Sequence, residues 1–456
     1  MPVKTLTMVS ELPVFKGKNP LIPGTEFLMD PFRFTTGKGM SLGSFYRIPF
    51  FFRKIFVTTD LEAIAHVLQR NQKNYRKSFA YRNLRLALGN GLVTNEGESW
   101  FQQRRLIQPG FHKAKLEGLF VAMGEVAERY FADLRRRTEK PTVLDLSVEM
   151  MKVTADIVLK TLFSTDNKAD IAEMYRIMVD AQDYLVDRTT KPYFVPFYYV
   201  NGRHRHFRKD MDWFDRQLYA LVDERRAMTN RPNDLLTMLL EARDADTGEA
   251  MSDQQLRDEA ITLFAAGHET SSNGLSWILY LLSQHPEVLR SLRNEVDEVL
   301  GDRTPTFNDL PGLSYPMQVI KEGMRLYPPA FAIGREPIED DVILGHRVPA
   351  GSVVFIAIAA VHRNPDWYER PTDFYPEHFL PEAEKERPRL AYMPFGAGPR
   401  MCIGNHFALM EMQLLLAMMV RRFNFELLPG HPIKPEPLIT LKPRYGVKMR
   451  VGWRES

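Results

Sequence analysis

The chain's only cysteine, Cys402, stands in the stretch Phe395-Gly396-Ala397-Gly398-Pro399-Arg400-Met401-Cys402-Ile403-Gly404, just ahead of a helix-forming run. Glycines let a backbone turn tightly and approach a ligand closely. A helix N-terminus offers unpaired N–H groups and a positive dipole end, which favour a thiolate. The local physics predicts a sulfur of low pKa with amides aimed at it. An isolated cysteine is more often a small buried apolar residue; here the surrounding pattern favours the reactive reading. A cysteine hydrolase would need a histidine at the thiol, and His406, one helical turn on, is the nearest. Three other constellations carry chemistry. Glu322 and Arg325 share a helix face, as an ordinary surface pair would. Small and polar residues interrupt an apolar helix at Ala265-Ala266-Gly267-His268-Glu269-Thr270-Ser271-Ser272, which alone fits two helices joined at Gly267 or a small-residue helix contact. Trp100 and Arg104 lie four apart, as in any aromatic–arginine pair on an amphipathic helix.

Together and in this order, the four stretches resemble the cytochrome P450 family, and the resemblance spans about residues 40 to 450. Phe395 to Gly404 matches the family's Phe-x-x-Gly-x-Arg-x-Cys-x-Gly signature at every fixed position. The resemblance implies that Cys402 is the axial thiolate of haem b (iron protoporphyrin IX), with Phe395, Gly396, Gly404 and Ala266 against the cofactor. It makes Glu322 and Arg325 the buried pair that braces the haem-binding core. The third partner is usually an arginine in Pro-Glu-Arg-Phe; this chain has Pro376-Glu377-His378-Phe379, and a histidine hydrogen-bonds with shorter reach. It places the Thr270 hydroxyl beside the oxygen site, with Glu269 and Thr270 delivering protons. Trp100, Arg104, Arg335 and Arg400 match the positions that hold the two propionates, and three arginines suit two carboxylates.

The implied reaction is monooxygenation by O2, with electrons from NAD(P)H. A thiolate ligand gives electron density to iron and favours O–O cleavage. At 456 residues the chain is too short to carry a fused flavin reductase, so a separate ferredoxin or flavodoxin with its reductase is expected. Such partners are acidic, which makes Arg104, Arg105, Lys113 and Lys115 candidates for a basic docking face. By position, the substrate pocket takes Leu84 and Leu88 from the loop Ser78–Leu92, then Phe264, Ala265 and His268, then Ala330, Phe331 and Ile333, and finally Ile439. An aromatic segment over Tyr184–Tyr199 is either a lid on that pocket or plain packing between helices. Apolar linings favour lipophilic ligands, such as a fatty acid, terpenoid or steroid. The stretch Ala266–Ser272 resembles soluble bacterial fatty-acid hydroxylases of the family more than camphor-type enzymes. The alternatives are a peroxide-driven peroxygenase or isomerase and a non-catalytic haem sensor or carrier; the Glu269-Thr270 pair argues against both.

The elements that must position these residues are mostly helical. Period and capping predict helices over Lys115–Arg137, Leu146–Leu162, Ala169–Val186, Lys209–Met228, Asn233–Ala242, Pro286–Leu300, Ser314–Leu326 and Asn405–Arg422. Ser252 and Gln255 form a capping box, and no proline follows until Pro286. That helix would run about 32 residues, or roughly 48 Å. Strands are expected at Ser44–Thr59 as a hairpin, at Val342–Leu344, at Ser352–Ala359 and at the C-terminal end. Without linkers or repeats, 1–456 is expected to be one mainly α domain with small β-sheets. Its helix-rich part covers about 100–330, and its β-containing parts lie at about 40–60, 331–362 and 423–453. The family's fold is a triangular prism of helices that encloses haem between a long central helix and the cysteine loop. One cysteine excludes internal disulfides and multi-cysteine metal centres. A net charge of +3 does not point to nucleic acid. No apolar run of about 18 residues exists, so no transmembrane anchor is expected, and the N-terminus lacks a signal-peptide core. The expectation is a cytoplasmic monomer.

Overall fold

A computed structural model describes residues 11–15, 17, 24–50, 53–164, 168–244 and 246–454. The N-terminal residues 1–10, on which the signal-peptide reading rests, lie outside the described residues, as do Phe51 and Phe52 of the predicted hairpin. The chain forms two compact units, the first from the segment ending at Phe79 with Ala330–Asp373 and Glu384–Cys402, the second from Ala80–Pro329, Phe374–Ala383 and Ile403 onward.

The first unit is built on a five-stranded sheet in the order Phe45–Phe50, Arg53–Thr58, Val353–Ile356, Ile333–Pro337, Tyr75–Lys77. The hairpin pairs antiparallel with Ile48 opposite Ile55, Arg53–Thr58 runs parallel to Val353–Ile356, and Arg335 sits opposite Lys77 at the edge. Strand residues alternate between two faces. Ile55, Val57 and Val353 enter one core with Tyr46 and Ile48. Phe56, Val354 and Ile356 enter the other with Ile64, Val67 and Leu68. Asp60 caps the short helix Leu61–Ala65, its carboxylate accepting from the backbone N–H groups of Glu62 and Ala63. One expectation is corrected here. The strand predicted over Ser352–Ala359 ends at Ile356, and Ile358–Val361 forms a helical turn. All four residues of that turn are buried, and a short apolar run has no period to separate strand from helix.

In the second unit the helix Asp253–Gln284 is the central element, closed at its start by the reciprocal Ser252–Gln255 box and followed by Pro286. Leu146–Phe163, Ser314–Leu326 and Asn405–Arg422 pack on it. Glycine permits one of these approaches: a Cβ on Gly323 would lie 2.3 Å from Ile278 Cγ1. Near the C-terminal end of the long helix, the Trp277 indole donates to the Leu441 carbonyl at 2.9 Å and stacks on Tyr327 at 4.1 Å. Lys448–Trp453 pairs with both Thr142–Asp145 and Phe423–Leu427, and Pro435–Pro437 pairs with Leu441–Pro443. Among the described residues no helix is long and apolar enough to cross a membrane.

Candidate active site

In the first unit the cysteine loop is shaped by two left-handed glycines, Gly396 at φ 74° and Gly398 at φ 73°. Gly398 has no alternative: a Cβ there would sit 2.0 Å from the Leu68 carbonyl oxygen. The Cys402 N–H donates to the Phe395 carbonyl at 2.9 Å, which closes the loop and leaves the thiol exposed. Arg335 is buried on its strand, with Nη1 donating to the Gly334 carbonyl at 3.1 Å. Arg400 is half-buried two residues before the cysteine.

In the second unit the long helix is continuous through Gly267, so the reading of two helices joined there is overturned. Gly267 instead takes up a close approach, its missing Cβ lying 3.0 Å from Val158 Cγ2. Ala266 is exposed although most of this helix is buried, and Ala265, Glu269 and Thr270 beside it are half-buried. Thr270 Oγ1 donates to the Ala266 carbonyl at 2.8 Å, the local back-bond by which a threonine disturbs a helix. Glu269 Oε1 accepts from Gln182 Nε2 at 2.6 Å and from Thr440 Oγ1 at 2.5 Å, while Asn273 Nδ2 donates to that same Thr440 hydroxyl. Sequence reasoning did not anticipate Gln182 or Asn273, because the first is 87 residues away from Glu269.

Two pocket assignments change. Phe264 has no exposed surface; it packs against Phe214 and stacks on His268 at 4.9 Å, so it is core, not lining. His268 is likewise buried, its Nδ1 2.7 Å from the Phe264 carbonyl, and burial pushes the imidazole below its ordinary range. Leu84 and Ala265 are half-buried, Leu88 is buried, and Ile439 is exposed. In the first unit Ala330 and Ile333 are half-buried, and Phe331 meets Phe32 edge-on at 6.4 Å. Of the aromatic segment, Tyr184 and Tyr198 are buried, whereas Tyr193, Phe194, Phe197 and Tyr199 are exposed, with the Tyr199 ring still 4.2 Å from that of His204 on the next helix.

Glu322, Arg325 and His378 meet in the second unit. Arg325 binds Glu322 bidentately at 2.7 and 2.8 Å with neither residue exposed. His378 Nδ1 lies 3.2 Å from Glu322 Oε1, and the Tyr375 N–H donates to the same oxygen at 2.8 Å. Burial alone would raise the Glu322 carboxyl; Arg325 and then His378 outweigh it and hold the group below its ordinary value. Trp100 is buried with Arg104 over its ring, and its indole N–H donates to the Leu92 carbonyl at 3.1 Å. A propionate would have to share that single donor. Arg105 is bound to both Asp244 and Asp246 at 2.7 Å. Its charge is therefore largely neutralised, which leaves half-buried Arg104 and exposed Lys113 and Lys115 as the candidates for the docking face.

Glu411 is a residue that the sequence analysis does not single out. It is fully buried on Asn405–Arg422, and neither carboxylate oxygen has a hydrogen-bond partner among the described residues. Burial pushes its carboxyl up to about 8, with Ser271, next to Thr270, the neighbour that opposes the shift. An acid inside a run of leucines and methionines was the signal.

The sequence model of the cytochrome P450 family matches residues 29–449. Putative cytochrome P450 132 of Mycobacterium tuberculosis is 34% identical, over 87% of this chain and 87% of its own length. Cyclooctat-9-en-7-ol 5-monooxygenase of Streptomyces melanosporofaciens is 33% identical, over 83% of this chain and 81% of its own. The crystal structure of the cytochrome P450DA heme domain superposes with a TM-score of 0.87 at 25% identity, covering 97% of this chain and 98% of that one. The chain belongs to the cytochrome P450 family of monooxygenases, whose cofactor is haem and whose oxidant is O2. The residues present fit that cofactor. The one thiol is exposed on a glycine-turned loop, and an alanine midway along the long helix is uncovered beside a threonine hydroxyl. Gly404 agrees as well: its Cβ would meet only the Phe111 ring, at an ordinary 3.6 Å, so no described neighbour requires a glycine there.

Proposed function

We propose that this chain inserts one oxygen atom of O2 into a lipophilic substrate, with electrons passed from NAD(P)H by a separate ferredoxin or flavodoxin system. The exposed thiol of Cys402 in its glycine-turned loop carries this reading. Bound haem would supply thiolate-activated O–O cleavage. Cys402 would hold the iron, and Arg335, Arg400 and Arg104 would neutralise the propionates, joined by Trp100 if it shares its N–H with Leu92. Thr270 would present its hydroxyl, and Glu269 would hold and pass protons at Oε1, where Gln182 and Thr440 fix its position. The half-buried apolar residues Leu84, Ala265, Ala330 and Ile333, with Leu88, Phe331 and Ile439, would line the substrate site and exclude water.

The similarity to a monooxygenase of cyclooctat-9-en-7-ol favours a bulky alicyclic alcohol or related terpenoid over a linear fatty acid. The carbon monoxide complex of the reduced protein tests the core reading. Its Soret band must lie far to the red in the wild type and be lost in Cys402→Ala; a wild type that binds no haem ends the proposal. Titration with terpenoids, fatty acids and steroids, read as a shift from low to high spin, then ranks the substrate classes. Reversing Lys113 and Lys115 to glutamate should slow reduction by an acidic ferredoxin at low salt; unchanged rates would remove the basic face.

A further inference from the structure

Three side chains of the first unit converge on one carboxylate oxygen that the proposed reaction does not use. Asp341 Oδ2 accepts from the Tyr75 hydroxyl at 2.5 Å and from Asn71 Nδ2 at 3.1 Å, and it lies 2.8 Å from His66 Nε2. Its Oδ1 accepts from the Val342 N–H at 2.8 Å. The Asp341 side chain is only 11% exposed, so these partners rather than water serve it. Burial alone would raise this carboxyl; Tyr75 and then His66 outweigh it and hold the group below its ordinary value. Tyr75 and Asp341 stand on the short strands Tyr75–Lys77 and Asp341–Ile343, which fixes the cluster to β structure.

His66 and Asn71 are the two ends of a wide turn. His66–Arg70 is a single π turn, closed by the Asn71 N–H donating to the His66 carbonyl at 2.8 Å. Such turns are rare and concentrate at functional sites. At about 3.6 residues per turn, side chains five apart on an α-helix point in different directions. Here the wider turn brings both onto Asp341. Inside the turn, Val67 and Leu68 are buried in the core against which Ala397 packs. The Leu68 carbonyl is also the group that leaves room only for glycine at position 398, four residues before Cys402. The carboxylate therefore clamps the surface on which the cysteine loop rests.

We propose that Asp341, through His66 and Asn71, is a positioning residue for the metal-binding thiolate: it fixes the width of the π turn, and with it the place where the Leu68 carbonyl seats Gly398 and the Cys402 sulfur meets the haem iron. The inference rests on the reading of Cys402 as the haem ligand. Asp341 acts through the turn and not on the reacting atoms. Its charge and its oxygens both matter. An amide oxygen has two lone pairs for these three donors, and an amide nitrogen would face donors with a donor.

The test uses the full-length, haem-loaded chain and two spectroscopic readouts. One is the iron–sulfur stretching frequency by resonance Raman. The other is the rate at which the reduced carbon monoxide complex loses its red-lying Soret band in mild denaturant. Asp341→Asn and His66→Leu should lower the frequency and speed the loss roughly tenfold. His66→Gln, which returns an amide donor near the position of Nε2, should restore both to wild type. Glu128→Gln breaks an ion pair with Arg422 in the second unit and should leave the frequency unmoved, whatever stability it costs. An unchanged frequency in both Asp341→Asn and His66→Leu overturns the proposal, and so does an equal fall in Glu128→Gln. Should Asp341→Asn fail to fold, the half-buried His66 site decides through its leucine and glutamine variants. A wild type without haem, or without the red-lying band, ends the reading of Cys402 instead, and that outcome needs no variant.

Discussion

At the residue scale, the brace and the proton network yield sharp expectations. Glu322→Gln leaves Arg325 charged and buried without its carboxylate. Breaking a buried pair in this way costs about 3–5 kcal/mol, so chemical denaturation should show a large loss. His378→Ala removes one of three partners and should cost only about 1–3 kcal/mol, because Arg325 and the Tyr375 N–H still serve Glu322. If the two variants proved equally destabilised, the histidine would be as central as the arginine. Thr270→Ala should keep the carbon monoxide spectrum while product formed per NAD(P)H consumed falls, on the order of 10²-fold if proton delivery is its role. A variant that retains coupling would move that role to another group. Glu411 is the residue that spacing could not reveal. Its period matched the helix, but only the packed structure places it where neither oxygen finds a partner.

At the element scale, helix ends were legible where a local cap or breaker marks them and not elsewhere: the helix expected over Lys209–Met228 begins at Arg203, and the one expected over Ala169–Val186 runs on to Thr190. Pro286–Leu300 begins at its proline and ends before Gly301, Ser314–Leu326 begins at its serine and stops ahead of Pro328-Pro329, and Asn405–Arg422 begins just after Gly404. Ile358–Val361 was not legible, since four consecutive apolar residues serve a strand and a helical turn alike. The aromatic segment was not legible either: composition says that rings are apolar, not that four of them face outward. The cysteine loop was the most legible piece, because its glycines are required by backbone geometry. Gly398→Ala should therefore abolish haem incorporation, read as loss of Soret absorbance in protein that still gives a helical circular dichroism spectrum. Gly404→Ala, which meets no clash in the chain itself, separates demands of the fold from demands of the cofactor: if it too lost haem while folding normally, the glycine would serve the ligand.

For the whole molecule, Glu411 predicts the direction of stability with pH. Its folded carboxyl titrates near about 8, above the ordinary value of 4.5, so the folded state holds a proton that the unfolded chain releases. Its contribution is complete below the unfolded pKa and is lost as pH rises through the folded one. Stability should fall between about pH 5 and 8 by up to about 1.4 kcal/mol per pH unit from this group, and Glu411→Gln should flatten that slope. An unchanged slope in Glu411→Gln would assign it elsewhere. The expectation of one domain over 1–456 is tested by calorimetry of the haem-loaded chain: a single transition with equal calorimetric and van't Hoff enthalpies supports it, and two transitions divide it. The solitary thiol has a practical corollary. Since the chain has one cysteine and its sulfur is exposed, a maleimide titration of a preparation counts the molecules whose sulfur is not committed to metal. Stoichiometry of labelling and Soret absorbance should then sum to one per chain, which gives every preparation an internal gauge of cofactor loading. Left unlabelled in air, those same molecules are the sole source of disulfide-linked dimers on a non-reducing gel.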